Sequence, residues 1–136
     1  MKELILYFSL AGATKKYAEE RAEKDGAEIR EIKEIPNRNG FTAWIPGVFQ
    51  AAGNKKTTIE SIGDFDSYDK IILAGPIWAG NAVPALNSAA AILPQGSKVE
   101  LVLVSGSGKD YSAKLAEAIK ANGSEVIDVI NIKSGK

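Results

Sequence analysis

One stretch near the amino terminus, residues 3–26, limits the possible folds most strongly. It begins with an apolar run over residues 3–8, continues through a short loop, and ends in a helical pattern that Asp25 and Gly26 would terminate. A continuous apolar run with β-branched and aromatic residues is typical of a strand that is buried on both faces. The stretch therefore predicts a strand, a tight loop and a helix.

The loop in this stretch, residues 9–14, has the composition of a phosphate-binding segment. It contains only small, apolar and hydroxyl-bearing residues and leads directly into the predicted helix. A helix amino terminus offers free N–H groups and the positive end of the helix dipole to an anion. Two interpretations stay open at this point: the loop binds phosphate, or its glycine only eases a turn between strand and helix.

The rest of the chain continues to alternate between strand and helix patterns. Helical patterns start at Pro84 and after Asp110, a good N-cap, and residues 41–52 are compatible with a broken helix around Pro46 and Gly47. Strand patterns cover residues 28–33, 71–75, 99–104 and 125–132. Such alternation predicts a parallel sheet with right-handed crossovers.

The polarity of the strands predicts their order. The first, third and fourth strands are apolar throughout and belong in the middle, whereas the second and fifth carry charges or alternate and belong at the edges. The expected fold is α/β and three-layered, with a five-stranded parallel sheet in the order 2-1-3-4-5 and helices on both faces. Residues 1–136 fit a single domain. In this strand order, ligands bind at the switch point between strands one and three.

Composition excludes several classes of function. The 17 basic and 17 acidic residues give a net charge of zero, which argues against a nucleic-acid or membrane surface and predicts an encounter with partners that depends weakly on salt. The chain contains no cysteine and no histidine, so disulfides, thiolate catalysis and the common zinc sites are excluded. No apolar segment is long enough to cross a bilayer, and a soluble, cytoplasmic protein is expected.

Three loops should meet at one edge of the sheet. They follow the first, third and fourth strands and cover residues 9–14, 76–83 and 105–110. All three are rich in glycine, serine and alanine, so that backbone can approach a ligand closely. Trp78 in the second loop is either a platform for a planar ring or a lid over the helix that begins at Pro84, and both interpretations stay open.

The sequence resembles the flavodoxin family in two of these places. Residues 7–14, Tyr-Phe-Ser-Leu-Ala-Gly-Ala-Thr, look like the phosphate loop of the family. Residues 69–78, Asp-Lys-Ile-Ile-Leu-Ala-Gly-Pro-Ile-Trp, look like its third strand and flavin-ring loop. The resemblance covers nearly the whole chain and implies that the protein binds FMN.

The resemblance also implies a role for each loop. The first loop would hold the phosphate, the second would place Trp78 beside the isoalloxazine ring, and the third would lie on the other side of the ring. The cofactor-binding residues expected on this basis are Ser9, Leu10, Ala11, Gly12, Ala13, Thr14, Pro76, Ile77, Trp78, Ala79, Gly80, Ser105, Gly106, Ser107 and Gly108. No metal ligand and no catalytic acid, base or nucleophile is expected, because the flavin carries the chemistry.

The sequence differs from the family pattern in several positions. Ala11 stands where the family has Thr or Ser, and Ala13 where it often has Asn. The third loop has no aromatic residue at its start, because Tyr111 is expected inside the following helix, and the chain ends soon after the fifth strand, without the usual final helix. Three functions therefore stay open: an FMN electron carrier with a redox partner protein, which is preferred; a flavin reductase with a nicotinamide donor; and a flavodoxin-like module with a degenerate site.

Overall fold

The computed structural model describes residues 2–9, 12–33, 65, 68–78 and 81–133. The broken helix expected within residues 36–63 lies outside them. The strands are β1 (Glu3–Tyr7), β2 (Glu28–Glu31), β3 (Lys70–Trp78), β4 (Asn81–Ala82), β5 (Lys98–Ser105) and β6 (Glu125–Lys133). The helices are α1 (Ala13–Asp25), α2 (Pro84–Ala91) and α3 (Ala113–Ala121).

Five of the strands form a parallel sheet in the order β2-β1-β3-β5-β6. The short β4 pairs only with the end of β3, in the antiparallel direction. The five parallel strands therefore follow the predicted order 2-1-3-4-5. The charged β2 and the mixed β6 occupy the two edges, as the polarity of the strands indicated.

Side chains alternate between two separate cores, one on each face of the sheet. On one face, Leu4, Leu73 and Leu101 pack with residues of α2 and α3, such as Leu86 and Ile119. On the other face, the buried residues are Ile5, Tyr7, Ala18, Ile72, Ala74 and Val102, with Ala18 supplied by α1. Helices therefore cover both faces, which confirms the three-layered fold.

Some element boundaries differ from the prediction. The helix α1 begins at Ala13 rather than after residue 14, so that the last two residues of the expected first loop are helical. The strand β3 continues to Trp78, because its last residues pair with β4: Ile77 lies opposite Ala82 and Trp78 opposite Asn81. The residues from Pro76 to Trp78 were expected in a loop and instead belong to a strand.

None of the described helices is long and apolar enough to span a bilayer.

Candidate functional site

The first loop joins β1 to α1, and its residues Leu10 and Ala11 lie outside the described residues. The Ser9 hydroxyl accepts a hydrogen bond of 3.1 Å from the Gly12 N–H. Gly12 has a φ of 93°, in the left-handed region that favours glycine. Among the described residues, no heavy atom lies within 4 Å of the place that a Cβ atom at Gly12 would take. The backbone conformation therefore favours glycine here, and no described atom crowds the position.

The amino terminus of α1 opens onto this turn. Its first helical hydrogen bond runs from the Lys16 N–H to the Gly12 carbonyl, at 2.9 Å, and the N-cap residue Gly12 has no side chain with which to cap the helix. The first N–H groups of a helix have no partner within the helix. Thr14 lies in this first turn and is only 3% exposed. The turn thus offers mainly backbone amides, together with the positive end of the helix dipole, to an anion.

The second loop is built on the end of β3. Ile77 is half-buried, and the Val83 N–H donates to the Pro76 carbonyl at 3.4 Å as the chain returns toward α2. Gly75 allows α2 to lie close to the sheet, since a Cβ atom there would come within 2.6 Å of Leu86 Cδ1. Ala79 and Gly80 lie outside the described residues. Whether Trp78 contacts a ring or covers α2 stays a prediction.

The third loop folds on itself and against the end of β6. The Ser105 hydroxyl accepts a hydrogen bond of 2.9 Å from the Gly108 N–H. Gly108 has a φ of 75°, and a Cβ atom there would lie 3.1 Å from Lys133 Cβ. The Ser107 hydroxyl accepts a hydrogen bond of 3.2 Å from the Lys109 N–H. The residues at 105–108 therefore have a defined conformation above β5.

Tyr111 belongs to this loop, and its expected place inside a helix is wrong. The Asp110 carboxylate accepts hydrogen bonds from the N–H and the hydroxyl of Ser112, at 2.9 and 2.5 Å. These bonds lower the pKa of Asp110 and close a local turn, so that α3 begins only at Ala113. The Tyr111 hydroxyl lies 3.2 Å from the Ser107 hydroxyl. An aromatic side chain thus lies beside the segment expected to contact the ring.

The sheet brings these three regions to the same edge. β1, β3 and β5 are adjacent and parallel, with Tyr7 opposite Ala74 and Pro76 opposite Val104. Neighbouring strands lie about 4.8 Å apart, so the three loops begin within about 10 Å of one another. This edge is the switch point between β1 and β3, where open α/β sheets bind ligands. The first turn of α1 and the starts of the second and third loops therefore lie at the edge where such a ligand would bind.

A buried ionic cluster lies away from this edge, on the face of the sheet that α1 covers. The side chain of Glu100 is only 3% exposed; Arg21 binds both of its oxygens, and Lys70 Nζ lies 3.1 Å from Oε1. Burial alone would raise the pKa of Glu100, but the hydrogen bonds from Arg21 and Lys70 outweigh burial and lower it. Lys70 Nζ also lies 3.1 Å from Glu3. All four charges have partners, which indicates a structural role.

Known proteins with a similar structure are flavoproteins. No protein-family model and no curated protein sequence matches the chain. A flavoprotein from Lactobacillus acidophilus NCFM, solved in complex with FMN, has a TM-score of 0.74 and 26% identity, over 94% of this chain and 91% of that chain. A WrbA-like flavodoxin from Agrobacterium tumefaciens has a TM-score of 0.55 and 18% identity, over 91% and 74% of the two chains. A flavodoxin from Streptococcus pneumoniae TIGR4 has a TM-score of 0.53 and 12% identity, over 100% and 88%. At these lower identities the last two indicate the fold alone.

Proposed function

We propose that this flavodoxin-like protein binds FMN at the carboxyl edge of its sheet and works in electron transfer. One observation carries the proposal: α1 begins at the switch point of the sheet with Gly12 as its N-cap, and no heavy atom of the described residues lies within 4 Å of the space beside Gly12. The similar flavoprotein from Lactobacillus acidophilus, solved with FMN, supports the choice of ligand. The cytoplasmic location stays a prediction.

The first loop would hold the phosphate of FMN. The Ser9 hydroxyl accepts a hydrogen bond from the Gly12 N–H, and the first N–H groups of α1, which have no partner within the helix, would bind the phosphate. Most of the attraction between a helix terminus and a phosphate comes from backbone N–H groups and the dipole. Alanine at positions 11 and 13 is therefore compatible with binding, although it adds no hydroxyl or amide side chain.

The second and third loops would hold the isoalloxazine ring. Trp78, with the backbone of Ala79 and Gly80, would lie on one side, and residues 105–108 with Tyr111 on the other. Bound FMN supplies the one-electron and two-electron chemistry. The chain contributes orientation, exclusion of water from the ring faces, and N–H groups near the ring edge.

Tyr111 bears on the choice between electron carrier and nicotinamide-dependent reductase. A reductase needs one face of the ring open to the donor, and the expected absence of an aromatic residue in the third loop would permit this. Tyr111 lies beside Ser107 in this loop, and in the proposed arrangement its ring would cover that face. This position favours the electron carrier, which exchanges electrons with a redox partner protein.

The proposal is tested by titrating FMN and riboflavin into the wild type and the Ala11→Thr variant. Riboflavin lacks the phosphate but keeps the ring. The added hydroxyl should form a hydrogen bond to a charged group, which contributes ~1.5–3 kcal/mol when its geometry is good. We expect FMN to bind the variant about tenfold more tightly or better, since 1.4 kcal/mol corresponds to a factor of ten. Flavin fluorescence measures both affinities.

Riboflavin is the internal control of this experiment, because its affinity should not change. Equal gains for both ligands would contradict a phosphate site at residues 9–14. Failure of FMN to bind either protein would overturn the proposed function and leave the degenerate module as the better interpretation.

A further inference from the structure

Positive charge is concentrated along the same edge of the sheet as the three loops. Six exposed lysines lie at this edge among the described residues, and we call them the lysine rim: Lys15, Lys16, Lys33, Lys109, Lys114 and Lys133. Of the described carboxylates, Asp110 follows β5, and Glu31 and Glu19 both lie near Tyr7 at the end of β1. Asp110 is held in its own turn by Ser112.

The lysine rim follows the full width of the sheet. Lys33 comes just after β2, Lys15 lies in the first turn of α1 after β1, and Lys133 ends β6. The third loop meets β6 at the rim, because Gly108 packs against Lys133. From β2 to β6 there are four strand spacings, or about 19 Å. The rim is therefore a long positive edge and not a single pocket.

Two helices carry these lysines where a cation is unfavourable. α1 and α3 have no acidic residue in their first turns and instead begin with Lys15, Lys16 and Lys114. A cation at the amino end of a helix opposes the helix dipole, and acidic residues are the stabilising choice there. The positive charge at this edge is thus not explained by helix stability.

The zero net charge of the chain conceals this asymmetry. The described residues include 13 basic and 13 acidic side chains, of which the rim and its neighbouring carboxylates account for six basic and three acidic ones. The other described residues therefore have an excess of acidic side chains. Net charge alone predicted an encounter that depends weakly on salt, whereas a local field of one sign steers a partner of the opposite sign.

We propose that the lysine rim is the docking surface for an acidic face of the redox partner protein. This docking proposal rests on the proposed function. The partner must come close to a flavin ring that would lie between the second and third loops, and the lysine rim lies along the same edge of the sheet as these loops. A nucleotide donor would require its cations clustered around one or two phosphates. Lysines spread over about 19 Å fit the width of a protein face better.

The first experiment requires no bound flavin. The rim variant combines Lys33→Gln, Lys109→Gln and Lys133→Gln. The control variant combines Lys24→Gln, Lys98→Gln and Lys120→Gln, three exposed lysines toward the opposite edge. Both variants lose the same net charge. On a carboxylate cation exchanger at pH 7, we expect the control variant to be retained to a higher salt concentration than the rim variant. Equal elution of the two variants would contradict a localised positive surface.

The second experiment measures electron transfer from the reduced FMN-bound protein to two cytochromes of opposite net charge. With the anionic cytochrome, we expect the wild-type rate to fall by about tenfold or more as salt rises from about 10 mM to about 0.5 M, because steering is screened. The rim variant should be slower than the control variant at low salt and should converge with it at high salt.

The outcomes separate this proposal from the proposed function. If FMN binds but the anionic cytochrome shows no salt dependence, or the cationic cytochrome is the faster one at low salt, the docking proposal is overturned and FMN binding stands. If FMN does not bind, the proposed function fails, and a redox partner at the rim fails with it. Flavin titrations of both variants are included, so that a change in FMN affinity is not mistaken for a change in docking.

Discussion

At the scale of single residues, Tyr111 has the clearest consequence for function. Its hydroxyl lies 3.2 Å from that of Ser107, within the loop expected to border the flavin ring. An aromatic residue here can stack on a planar ring regardless of the phosphate. The contribution of Tyr111 should therefore be separable from that of the phosphate loop.

We predict that Tyr111→Ala weakens the binding of FMN and riboflavin alike. The expected loss is ~1–3 kcal/mol, by analogy with the stacking of bases on aromatic side chains. Tyr111→Phe should retain most of the affinity, because the ring remains and only the contact with Ser107 is lost. Fluorescence titration of both ligands measures the effect.

The control for this prediction is Tyr68→Ala. Tyr68 is a partly exposed aromatic residue at the other end of the sheet, where its ring lies 4.9 Å from Lys2 Nζ. Its removal should leave flavin affinity unchanged. If Tyr111→Ala and Tyr68→Ala have the same effect, or if only FMN is affected by Tyr111→Ala, Tyr111 does not stack on the ring.

The sequence located the loops but not this residue. Asp110 is a good helix cap, and a helix starting there would have contained Tyr111. The same side chain can instead bond to the residue two positions later, and Ser112 supplies both an N–H and a hydroxyl for that purpose. The Asp-Tyr-Ser spacing was the available signal, but the local pattern does not decide between a cap and a turn.

At the scale of strands and helices, the order of the strands in the sheet was predictable, because the polarity of a strand's residues indicates whether the strand is buried in the middle or lies at an edge. The runs in β1, β3 and β5 are apolar enough to require cover on both faces, whereas β2 and β6 are not. The end of β3 was not predictable in the same way. Its extension to Trp78 depends on pairing with β4, and such a contact is invisible in a pattern read along one strand.

The ionic cluster around Glu100 is a second feature that depends on contacts between segments distant in the sequence. Glu100 lies within an apolar strand pattern, and its main partner, Arg21, is 79 residues away in the sequence. Only the packing of α1 on the sheet brings them together. Removing one member of a buried ion pair is strongly destabilising, because the remaining charge is left buried without a partner.

We predict that this cluster makes the free energy of unfolding depend on pH. Because the hydrogen bonds from Arg21 and Lys70 hold the folded pKa of Glu100 below its ordinary value, its stabilisation is present above that ordinary value and is lost as pH falls through the folded pKa. Glu100→Gln should lower the free energy of unfolding at neutral pH by ~1.5–3 kcal/mol, the contribution of a hydrogen bond to a charged group. Denaturant unfolding at a series of pH values measures both effects.

The matched control is Glu117→Gln, which removes an exposed carboxylate on α3. It should change stability by less than about 0.5 kcal/mol, as is usual for surface substitutions. Below the ordinary carboxyl range, the wild type should lose stability faster than Glu100→Gln. Parallel pH profiles for these two proteins would show that Glu100 is not stabilised in the ionised form.

At the scale of the whole molecule, the proposed FMN site and the lysine rim lie at the same edge of the sheet. The carboxyl ends of the parallel strands carry the three loops, the open terminus of α1 and the lysine rim. The ionic cluster and the groove beside it lie on a face of the sheet instead, lined by residues such as Tyr17, Arg21 and Asp128. Composition predicted a neutral molecule, but only the fold shows where its charges lie.

The most direct test of the account is to follow backbone amide NMR signals while FMN is added. The account predicts that the largest shifts occur in residues 12–15 and 105–111, around the turn before α1 and in the third loop. Signals of Tyr17, Arg21 and Asp128, which line the groove on the face of the sheet, should change little. Saturable shifts centred on that groove, or no shifts at all, would contradict an FMN site at the carboxyl edge of the sheet.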